Sequence, residues 1–322
     1  MKKLTYLGMT LVLLLLVGCK ETGGETKSEK STRFLLDTVV TLDADCDKET
    51  LNEAFSLCED YEKLLSRTKP ESEVSKLNGS DGFIEVSKAT RHIVERSIYY
   101  GDLSGGKFDI TLCPVINLWD FEGTSLPDKD EIAEALKNVD YQSIETDGDK
   151  INTNGKQIDL GGIAKGYIAD ELLSFFKKND VKSGIINLGG NVMVFGERTY
   201  DVGILKPFGD GDLSATLRLK NKSVVTSGVY QRYINDGGKI YHHILDPATG
   251  YSAITDLYSA TVIGDTSLDC DALATICILF GKDKAKDLIE NTEKTEAVFI
   301  DSENNLTYTS GLYEKDGVLI LK

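Results

Sequence analysis

Apolar residues recur at helical spacing in several parts of the chain. Between residues 48 and 67 they occupy positions 51, 54, 55, 58, 61 and 65, the period of an amphipathic helix. Asp128 and Glu131 form a capping box, which marks the start of another helix. In all, the pattern predicts helices over 48–67, 89–103, 128–138, 162–178 and 267–280.

Short runs rich in β-branched and aromatic residues lie between and after these helices. They predict strands over 33–43, 184–188, 192–195, 201–205, 214–219, 223–226, 258–263, 297–300 and 318–321. The strands fall in neighbouring runs interrupted by helices, rather than in a strict βαβ alternation. The pattern therefore predicts an α+β fold, a single layered domain of mixed sheet and helices over residues 33–322.

The N-terminus differs from the rest of the chain. Two lysines precede an apolar run over residues 4–17, which is shorter than the roughly 20 residues of a membrane-spanning helix but typical of a signal peptide. The run ends in Leu16-Val17-Gly18-Cys19, which resembles the bacterial lipobox. We therefore predict a signal peptide over 1–18, a lipid on Cys19 and, because the following residues are polar, a flexible tether over 19–32. An ordinary secretory signal or a buried N-terminal helix is the alternative.

Composition narrows the classes of partner. The formal net charge is −16, and it becomes −18 once residues 1–18 and their two lysines are removed. Such an acidic chain lacks the clustered cations that bind nucleic acid, and it does not adhere electrostatically to anionic lipid. The five cysteines after Cys19 show neither disulfide nor zinc spacing, so we interpret them as small buried residues. Three histidines are too few for a histidine-based metal site.

The segment Asp159-Leu-Gly-Gly-Ile-Ala-Lys-Gly-Tyr167 joins a short predicted strand to a helix through two glycines. Glycines let a backbone approach a ligand closely, and a helix N-terminus presents free N–H groups to an anion. Lys165 adds a charge that suits a phosphate. The segment is neither a Walker loop nor a GxGxxG motif. Taken alone, it fits a purely structural helix start at least as well.

Asp271 and Thr275 lie four residues apart on a predicted helix and so share one face. A carboxylate and a hydroxyl placed in this way are hard oxygen ligands. Mg²⁺ in proteins often takes one or two carboxylates and completes its shell with water and substrate phosphates. The alternative is that Asp269 or Asp271 simply caps the helix.

His243 lies in Tyr241-His-His-Ile-Leu-Asp-Pro-Ala-Thr-Gly250, where Asp-Pro-x-Thr-Gly predicts a turn. A histidine held beside a structured turn can accept a proton near neutral pH. A histidine that is merely packed or solvated is the alternative.

Seven motifs, taken in order, resemble one family from about Phe34 to Gly281. They are Ser72-Glu-Val-Ser-Lys-Leu-Asn78; Gly106-Lys-Phe-Asp-Ile-Thr111 with Pro114, Leu118 and Trp119; Asp159 to Tyr167; Asn187-Leu-Gly-Gly-Asn191; Thr226-Ser-Gly-Val-Tyr230 with Arg232; the His243 segment; and Asp271 to Thr275. The chain resembles the ApbE-type FAD:protein FMN transferases, once described as thiamine-biosynthesis lipoproteins. One departure is Leu36-Asp37-Thr38, where many members carry Met-Gly-Thr.

The resemblance implies an Mg²⁺-dependent enzyme that moves the FMN half of FAD onto a Ser or Thr of an acceptor protein, with AMP as the leaving product. It implies metal ligation by Asp271, Thr275 and the carbonyl of Gly162, and it makes His243 the catalytic residue that activates the acceptor hydroxyl. The residues that it assigns to the FAD site are Leu36, Asn78, Asp109, Thr111, Asp159, Lys165, Ser227, Gly228 and Ile244. An FAD pyrophosphatase or a lipoprotein that only binds FAD remains an alternative.

Two further expectations concern the partner. With a lipid on Cys19, the enzyme would be anchored to the cell membrane on its extracytoplasmic side, and flavoproteins of extracytoplasmic electron-transfer systems would be its acceptors. Asp210-Gly-Asp-Leu-Ser-Ala-Thr216 loosely resembles the acceptor motif of such transferases, so Thr216 is a candidate for self-modification. However, the segment alternates like a strand, and this favours a structural role.

Overall fold

The computed structural model describes residues 28–123 and 125–322. Its helices are α1 (Lys48–Leu65), α2 (Glu73–Asn78), α3 (Lys88–Leu103), α4 (Cys113–Ile116), α5 (Lys129–Leu136), α6 (Ala164–Lys178), α7 (Ser267–Phe280) and α8 (Lys282–Glu290). Its strands are β1 (Glu29–Leu35), β2 (Thr38–Ala44), β3 (Ile84–Glu85), β4 (Glu145–Asp147), β5 (Lys150–Asn152), β6 (Ser183–Leu188), β7 (Asn191–Gly196), β8 (Tyr200–Leu205), β9 (Leu213–Leu219), β10 (Lys222–Gly228), β11 (Tyr233–Asp236), β12 (Lys239–His242), β13 (Leu257–Gly264), β14 (Glu296–Asp301), β15 (Leu306–Tyr308), β16 (Leu312–Lys315) and β17 (Val318–Leu321).

An antiparallel eight-stranded sheet, in the order β1-β2-β6-β7-β10-β13-β14-β15, forms the centre of the fold. Side chains alternate between its two faces, because successive residues of a strand point in opposite directions. In β7, Met193 and Phe195 enter the core beneath the helices, whereas Val192 and Val194 pack towards a four-stranded sheet of order β16-β17-β9-β8. The result is a layer of helices, a large sheet and a small sheet, which confirms the predicted α+β class.

The helices against the large sheet differ in how much of their surface is apolar. In α1 the buried positions form one stripe, and Asp47 caps the helix by accepting a hydrogen bond from the Thr50 N–H at 2.8 Å. In contrast, α7 is buried along nearly its whole length. A helix covered on all sides has no polar face, which explains why the sequence of α7 is apolar except at Ser267, Asp269, Asp271 and Thr275.

The predicted strand over 33–43 is a hairpin of two strands rather than one strand. Leu36 and Asp37 form its turn with φ angles of 56° and 55°, a left-handed conformation that is uncommon for a leucine. Residues 29–32, predicted to be part of the tether, belong to β1. An outer strand can be this polar because backbone pairing with β2, from Glu29 opposite Ala44 onwards, holds it in place.

Several elements escaped prediction because their patterns are short or polar. They include α2, the hairpin of β11 and β12, and α8, in which only Ala285 and Ile289 are buried. The strand predicted around Thr216 is confirmed, since Thr216 lies in β9 opposite Gly203 and is half-buried. Self-modification of Thr216 stays a prediction.

The predicted signal peptide, Cys19 and the tether up to residue 27 lie outside the described residues. Within the described ranges, no helix has the length and apolar character needed to cross a membrane. The buried, unpaired state expected of the cysteines is confirmed for Cys58, Cys113, Cys270 and Cys277, whereas Cys46 is only partly buried.

Helices α6 and α7 cross in contact at Gly166. A Cβ placed on Gly166 would lie 2.4 Å from the carbonyl oxygen of Ser267 and 2.6 Å from the Cα of Leu268. Both are backbone atoms, which cannot rotate away as a flexible side chain would. Glycine at this position therefore sets how closely the two helices approach.

We expect Gly166→Ala to lower the free energy of unfolding by about 1–3 kcal/mol, because overpacking forces the helices apart. This loss should exceed the gain in helix propensity, which is about 1 kcal/mol. Denaturant unfolding followed by circular dichroism measures the change. Gly82→Ala is the matched control, since no atom lies within 4 Å of a Cβ at Gly82. Equal stability of the two variants would contradict the close crossing.

Candidate active site

The N-terminal ends of α6 and α7 are capped by carboxylates that each helix supplies to the other. The Gly166 N–H of α6 donates to Asp271 Oδ2 of α7 at 2.9 Å. In return, Asp170 of α6 accepts hydrogen bonds from the N–H groups of Ser267 at 2.8 Å and Leu268 at 2.9 Å. N–H groups in the first turn of a helix have no partner within that helix. The two carboxylates satisfy these groups and lock the crossing in one register.

Asp271 is a buried carboxylate with few compensating charges. Burial raises its pKa, while Lys165, the Gly166 N–H and the side chain of Asn191 act in the opposite direction. Burying a carboxylate is costly unless a cation or hydrogen-bond donors compensate for the lost hydration. The site thus favours a cation next to Asp271.

The three predicted metal ligands come from two neighbouring segments, the loop before α6 and the helix α7. Thr275 follows Asp271 by one helical turn, and its Oγ1 lies 3.4 Å from Ser227 Oγ. The backbone of Gly162 lies alongside, since a Cβ there would be 3.7 Å from Thr275 Oγ1. Carboxylate, hydroxyl and carbonyl oxygens are the donors that Mg²⁺ prefers. One carboxylate with two uncharged oxygens leaves room in the coordination shell for substrate phosphates and water. The described residues contain no cluster of three or more Asp, Glu, His or Cys side chains.

The loop before α6 is held by Asp159. Its Oδ1 accepts a hydrogen bond from the Gly161 N–H at 2.7 Å, and its Oδ2 lies 2.5 Å from Arg67 Nε. Lys165 Nζ donates to the Gly161 carbonyl at 3.2 Å and forms no ion pair with any described residue. The loop thus presents an unpaired ammonium group beside the N-terminus of α6, which suits an anionic ligand.

His243 lies just beyond β12, next to the base of the β11–β12 hairpin. Its main-chain N–H donates to the carbonyl oxygen of Arg232 at 3.1 Å, and its Nδ1 lies 3.3 Å from the same oxygen. Because a carbonyl can only accept, this contact favours the tautomer in which Nδ1 carries the proton and Nε2 the lone pair. The ring of Phe121 meets the His243 ring edge-on, with 6.4 Å between centroids.

Burial, together with the charges of His242, Arg232 and Lys165, lowers the pKa of His243 to about 4, and the contact with the Arg232 carbonyl opposes this shift. The ring is therefore neutral at pH 7 and can accept a proton at Nε2. A general base must be unprotonated before the reaction, and a neutral imidazole meets this condition.

The profile described as the ApbE family matches residues 36–299. The chain belongs to the ApbE family. This match runs from the turn of the β1–β2 hairpin into β14, and it includes every residue of the site described above.

Relatives of known name support the same assignment. The FAD:protein FMN transferase of Treponema pallidum is 31% identical over 295 residues, which cover 84% of this chain and 82% of that protein. The corresponding transferase of Klebsiella pneumoniae is 34% identical over 273 residues, covering 82% and 86%.

Solved structures have the same fold. The ApbE protein of Thermotoga maritima, 29% identical, aligns with a TM-score of 0.80 over 88% of this chain and 97% of its own. The apo form of the Pseudomonas stutzeri flavinyl transferase ApbE, 25% identical, aligns with a TM-score of 0.78 over 88% and 95%.

Three of the ApbE motif residues assigned to FAD hold loops of the protein itself. The Asn78 side chain clamps the backbone of Ile158, donating to its carbonyl at 2.9 Å and accepting from its N–H at 2.7 Å. Asp109 Oδ1 accepts from both the N–H and the hydroxyl of Thr111, at 2.7 and 2.6 Å. Asn78 thus positions the segment that leads into Asp159. The contacts of all three residues with FAD stay predictions.

The other residues assigned to the FAD site have different neighbours within the protein. Ser227 faces Thr275, and Gly228 leaves room for the Tyr230 ring, whose nearest atom would be 2.5 Å from a Cβ. Ile244 is buried next to His243. Leu36 lies in the turn of the first hairpin, and its N–H donates to Glu62 Oε1 at 3.1 Å. Their contacts with FAD also remain untested.

Sequence reasoning missed Arg67 and Asp170. The spacing of Asp170, four residues after Gly166, puts both on the face of α6 that meets α7, and this pattern could have identified it. Arg67 reaches Asp159 from a loop 92 positions earlier in the chain. No local pattern indicates such a contact, because it depends on how α1 packs against the loop before α6.

In the protein without FAD, we expect the His243 ring to remain neutral, with its proton on Nδ1, down to about pH 4. The reason is that burial disfavours the charged ring. NMR of protein labelled with ¹⁵N-histidine measures both the pKa and the tautomer, and the chain has only three histidines to distinguish. His243→Gln identifies the resonance by its loss. Titration near 6.5, or a proton on Nε2, would contradict the environment described for this ring.

Proposed function

We propose that this enzyme, an FAD:protein FMN transferase, uses Mg²⁺ to transfer FMN from FAD to a Ser or Thr hydroxyl of an acceptor protein, releasing AMP. The observation that carries the proposal is the buried Asp271 carboxylate, which meets the N-terminus of α6 and has Lys165 and Thr275 beside it. This arrangement combines a cation site with an anion site. A pyrophosphate linkage in need of charge neutralisation fits both.

Different residues of the chain would bind the metal ion and the phosphates. Asp271, Thr275 and the carbonyl of Gly162 would hold Mg²⁺, which when bound neutralises charge on the pyrophosphate oxygens. Lys165, which has no ion-pair partner among the described residues, binds the phosphates electrostatically. Together these groups orient the FMN phosphorus towards the acceptor hydroxyl.

His243 acts as the general base. Its neutral Nε2 accepts the proton of the acceptor hydroxyl as the oxygen attacks the FMN phosphorus. The bond between that phosphorus and the bridging oxygen breaks, and AMP leaves with the electron pair. A phosphoester joins FMN to the acceptor, and no redox change occurs.

We also propose that the enzyme acts on the extracytoplasmic side of the cell membrane. The signal-like residues 1–18 and the lipobox-like Cys19 support a lipid anchor on the extracytoplasmic side of the membrane. FAD and acceptor must then meet the enzyme outside the cytoplasm. Flavoprotein subunits of extracytoplasmic electron-transfer systems are the acceptors that we propose.

The reaction is tested with full-length protein in detergent, FAD, Mg²⁺ and the extracytoplasmic domain of an electron-transfer flavoprotein subunit, purified without its covalent flavin so that the acceptor hydroxyl is free. We expect flavin fluorescence on the denatured acceptor and a stoichiometric amount of AMP. His243→Ala should lower the transfer rate by about 10²- to 10⁴-fold, because a general base contributes about this much, while the Kd for FAD changes little.

Two outcomes would contradict the transferase. Free FMN and AMP without labelled acceptor would identify a pyrophosphatase, in which water takes the place of the hydroxyl. Unchanged FAD would identify a protein that only binds the dinucleotide. Equal transfer rates for the His243→Ala variant and the wild type would remove His243 from the mechanism.

Asp271→Asn should reduce Mg²⁺-dependent turnover at least about 100-fold, which corresponds to about 2.7 kcal/mol of the activation barrier. The substitution keeps the shape of the side chain and a hydrogen-bond acceptor for Gly166, but it removes the charge that attracts the cation. Turnover is measured as a function of Mg²⁺ concentration.

Asp269→Asn is the matched control for this prediction. Asp269 lies on the same helix but pairs with Arg96 at 2.6 Å and accepts from the Tyr100 hydroxyl at 2.7 Å, away from the site. We expect its Mg²⁺ dependence to match that of the wild type. Full Mg²⁺-dependent turnover in Asp271→Asn would exclude this carboxylate as the metal ligand.

A further inference from the structure

Arg232 differs from every other arginine of this protein. The chain has seven arginines, and six of them pair with carboxylates: Arg33, Arg67, Arg91, Arg96, Arg198 and Arg218. Arg232 has no carboxylate partner among the described residues, although acidic residues outnumber basic ones by 52 to 36. An exposed guanidinium that finds no partner in so acidic a chain is available for an anion from outside.

The pairing of β11 with β12 places Arg232 directly opposite His243. Tyr233 pairs with His242, and the hydrogen bond from the His243 N–H to the Arg232 carbonyl at 3.1 Å continues this register by one residue. In an antiparallel pair, opposite residues project their side chains from the same face, with Cβ atoms about 5 Å apart. The guanidinium and the imidazole therefore emerge side by side.

Lys165 brings a second unpaired cation towards the same histidine. Both Lys165 and Arg232 contribute to lowering the pKa of His243, so their charges lie within electrostatic range of the ring. Lys165 reaches this position from the start of α6, and Arg232 reaches it from the hairpin. The base thus lies in a local positive field within an acidic protein.

We propose that Arg232 is a catalytic residue that binds the non-bridging oxygens of the FMN phosphate as it is transferred. This inference rests on the proposed function and adds a residue to the same site. The acceptor oxygen bonds to phosphorus, its proton passes to His243 Nε2, and AMP leaves with the electrons of the broken P–O bond. Arg232 remains protonated throughout and forms only hydrogen bonds.

A phosphate suits this position better than a carboxylate of the acceptor does. The base must lie within hydrogen-bond distance of the attacking hydroxyl, so the phosphorus under attack lies just beyond it. A side chain that emerges next to the base therefore extends towards the phosphoryl group. The planar fork of arginine matches two phosphate oxygens at once, and arginine has this role in other phosphoryl transfers.

The test compares Arg232→Gln and Arg232→Lys in full-length protein in detergent, with FAD, Mg²⁺ and the acceptor domain named above. We expect Arg232→Gln to lower kcat by about 10²- to 10³-fold, while the KM for the acceptor and the Kd for FAD change less than about threefold. Arg232→Lys should recover part of kcat, because lysine keeps the charge but not the fork.

Arg218→Gln is the matched control. Arg218 is also exposed on a strand, but it pairs with Asp201 through two contacts of 2.7 and 2.8 Å. We expect its kcat to equal that of the wild type. The Tm of each Arg232 variant should stay within about 2 °C of the wild type, since no ion pair is lost on substitution.

Two results would overturn the inference. An unchanged kcat for Arg232→Gln would show that Arg232 does not act on the transferred group. A raised KM for the acceptor at unchanged kcat would assign Arg232 to acceptor docking instead. If Asp271→Asn and His243→Ala are inactive in the same assay while Arg232→Gln is fully active, only this inference fails. If the wild-type protein leaves the acceptor unlabelled, the proposed function itself fails.

Discussion

The crossing of α6 and α7 at Gly166 is the contact on which the candidate site depends. Each helix leaves N–H groups unsatisfied at its first turn, and each receives a carboxylate from the other, Asp271 in one direction and Asp170 in the other. The exchange requires close approach, and the absence of a side chain on Gly166 permits it. One packing contact thereby sets the position of Asp271, of Thr275 one turn later, and of the loop that carries Gly162.

Burial raises the pKa values of the two carboxylates at this crossing. The pKa of Asp170 is raised to about 6, mainly because the side chain is buried, although the N–H groups of Ser267 and Leu268 oppose the shift. The pKa of Asp271 is raised for the same reason. A carboxylate in a poorly hydrated environment is destabilised unless a cation or hydrogen-bond donors lie next to it. Asp170 is stabilised by hydrogen bonds from helix N–H groups. Asp271 instead lies beside Lys165 and a set of oxygen ligands that suits a cation.

The distribution of charge distinguishes the site from the rest of the surface. Over most of the molecule arginines are paired with carboxylates, in keeping with an acidic chain. Around His243, Lys165 and Arg232 have no such partner among the described residues. A positive field beside a neutral imidazole lowers the cost of bringing a pyrophosphate there and keeps the imidazole free to accept a proton. In an acidic protein, the cations left unpaired are therefore more informative than the many carboxylates.

The sequence alone determined the layered α+β class, most of the longer helices and strands, and the residue types of the site. Local spacing was sufficient for these, because it decides which residues share a face: positions 271 and 275 had to lie together once the segment was helical. Short and polar elements, such as the β11–β12 hairpin, carry too few buried residues to produce a pattern.

Only the tertiary structure decided which distant residues meet. Gly166 and Asp271 are 105 positions apart, and nothing in either segment indicates that one N–H needs the other's carboxylate. The same holds for Arg232 opposite His243, which follows from the register of a hairpin that the sequence did not reveal. Long-range contacts depend on how whole faces pack and on which polar groups that packing leaves unsatisfied. Neither the packing of these faces nor the set of unsatisfied polar groups is defined until the chain has folded.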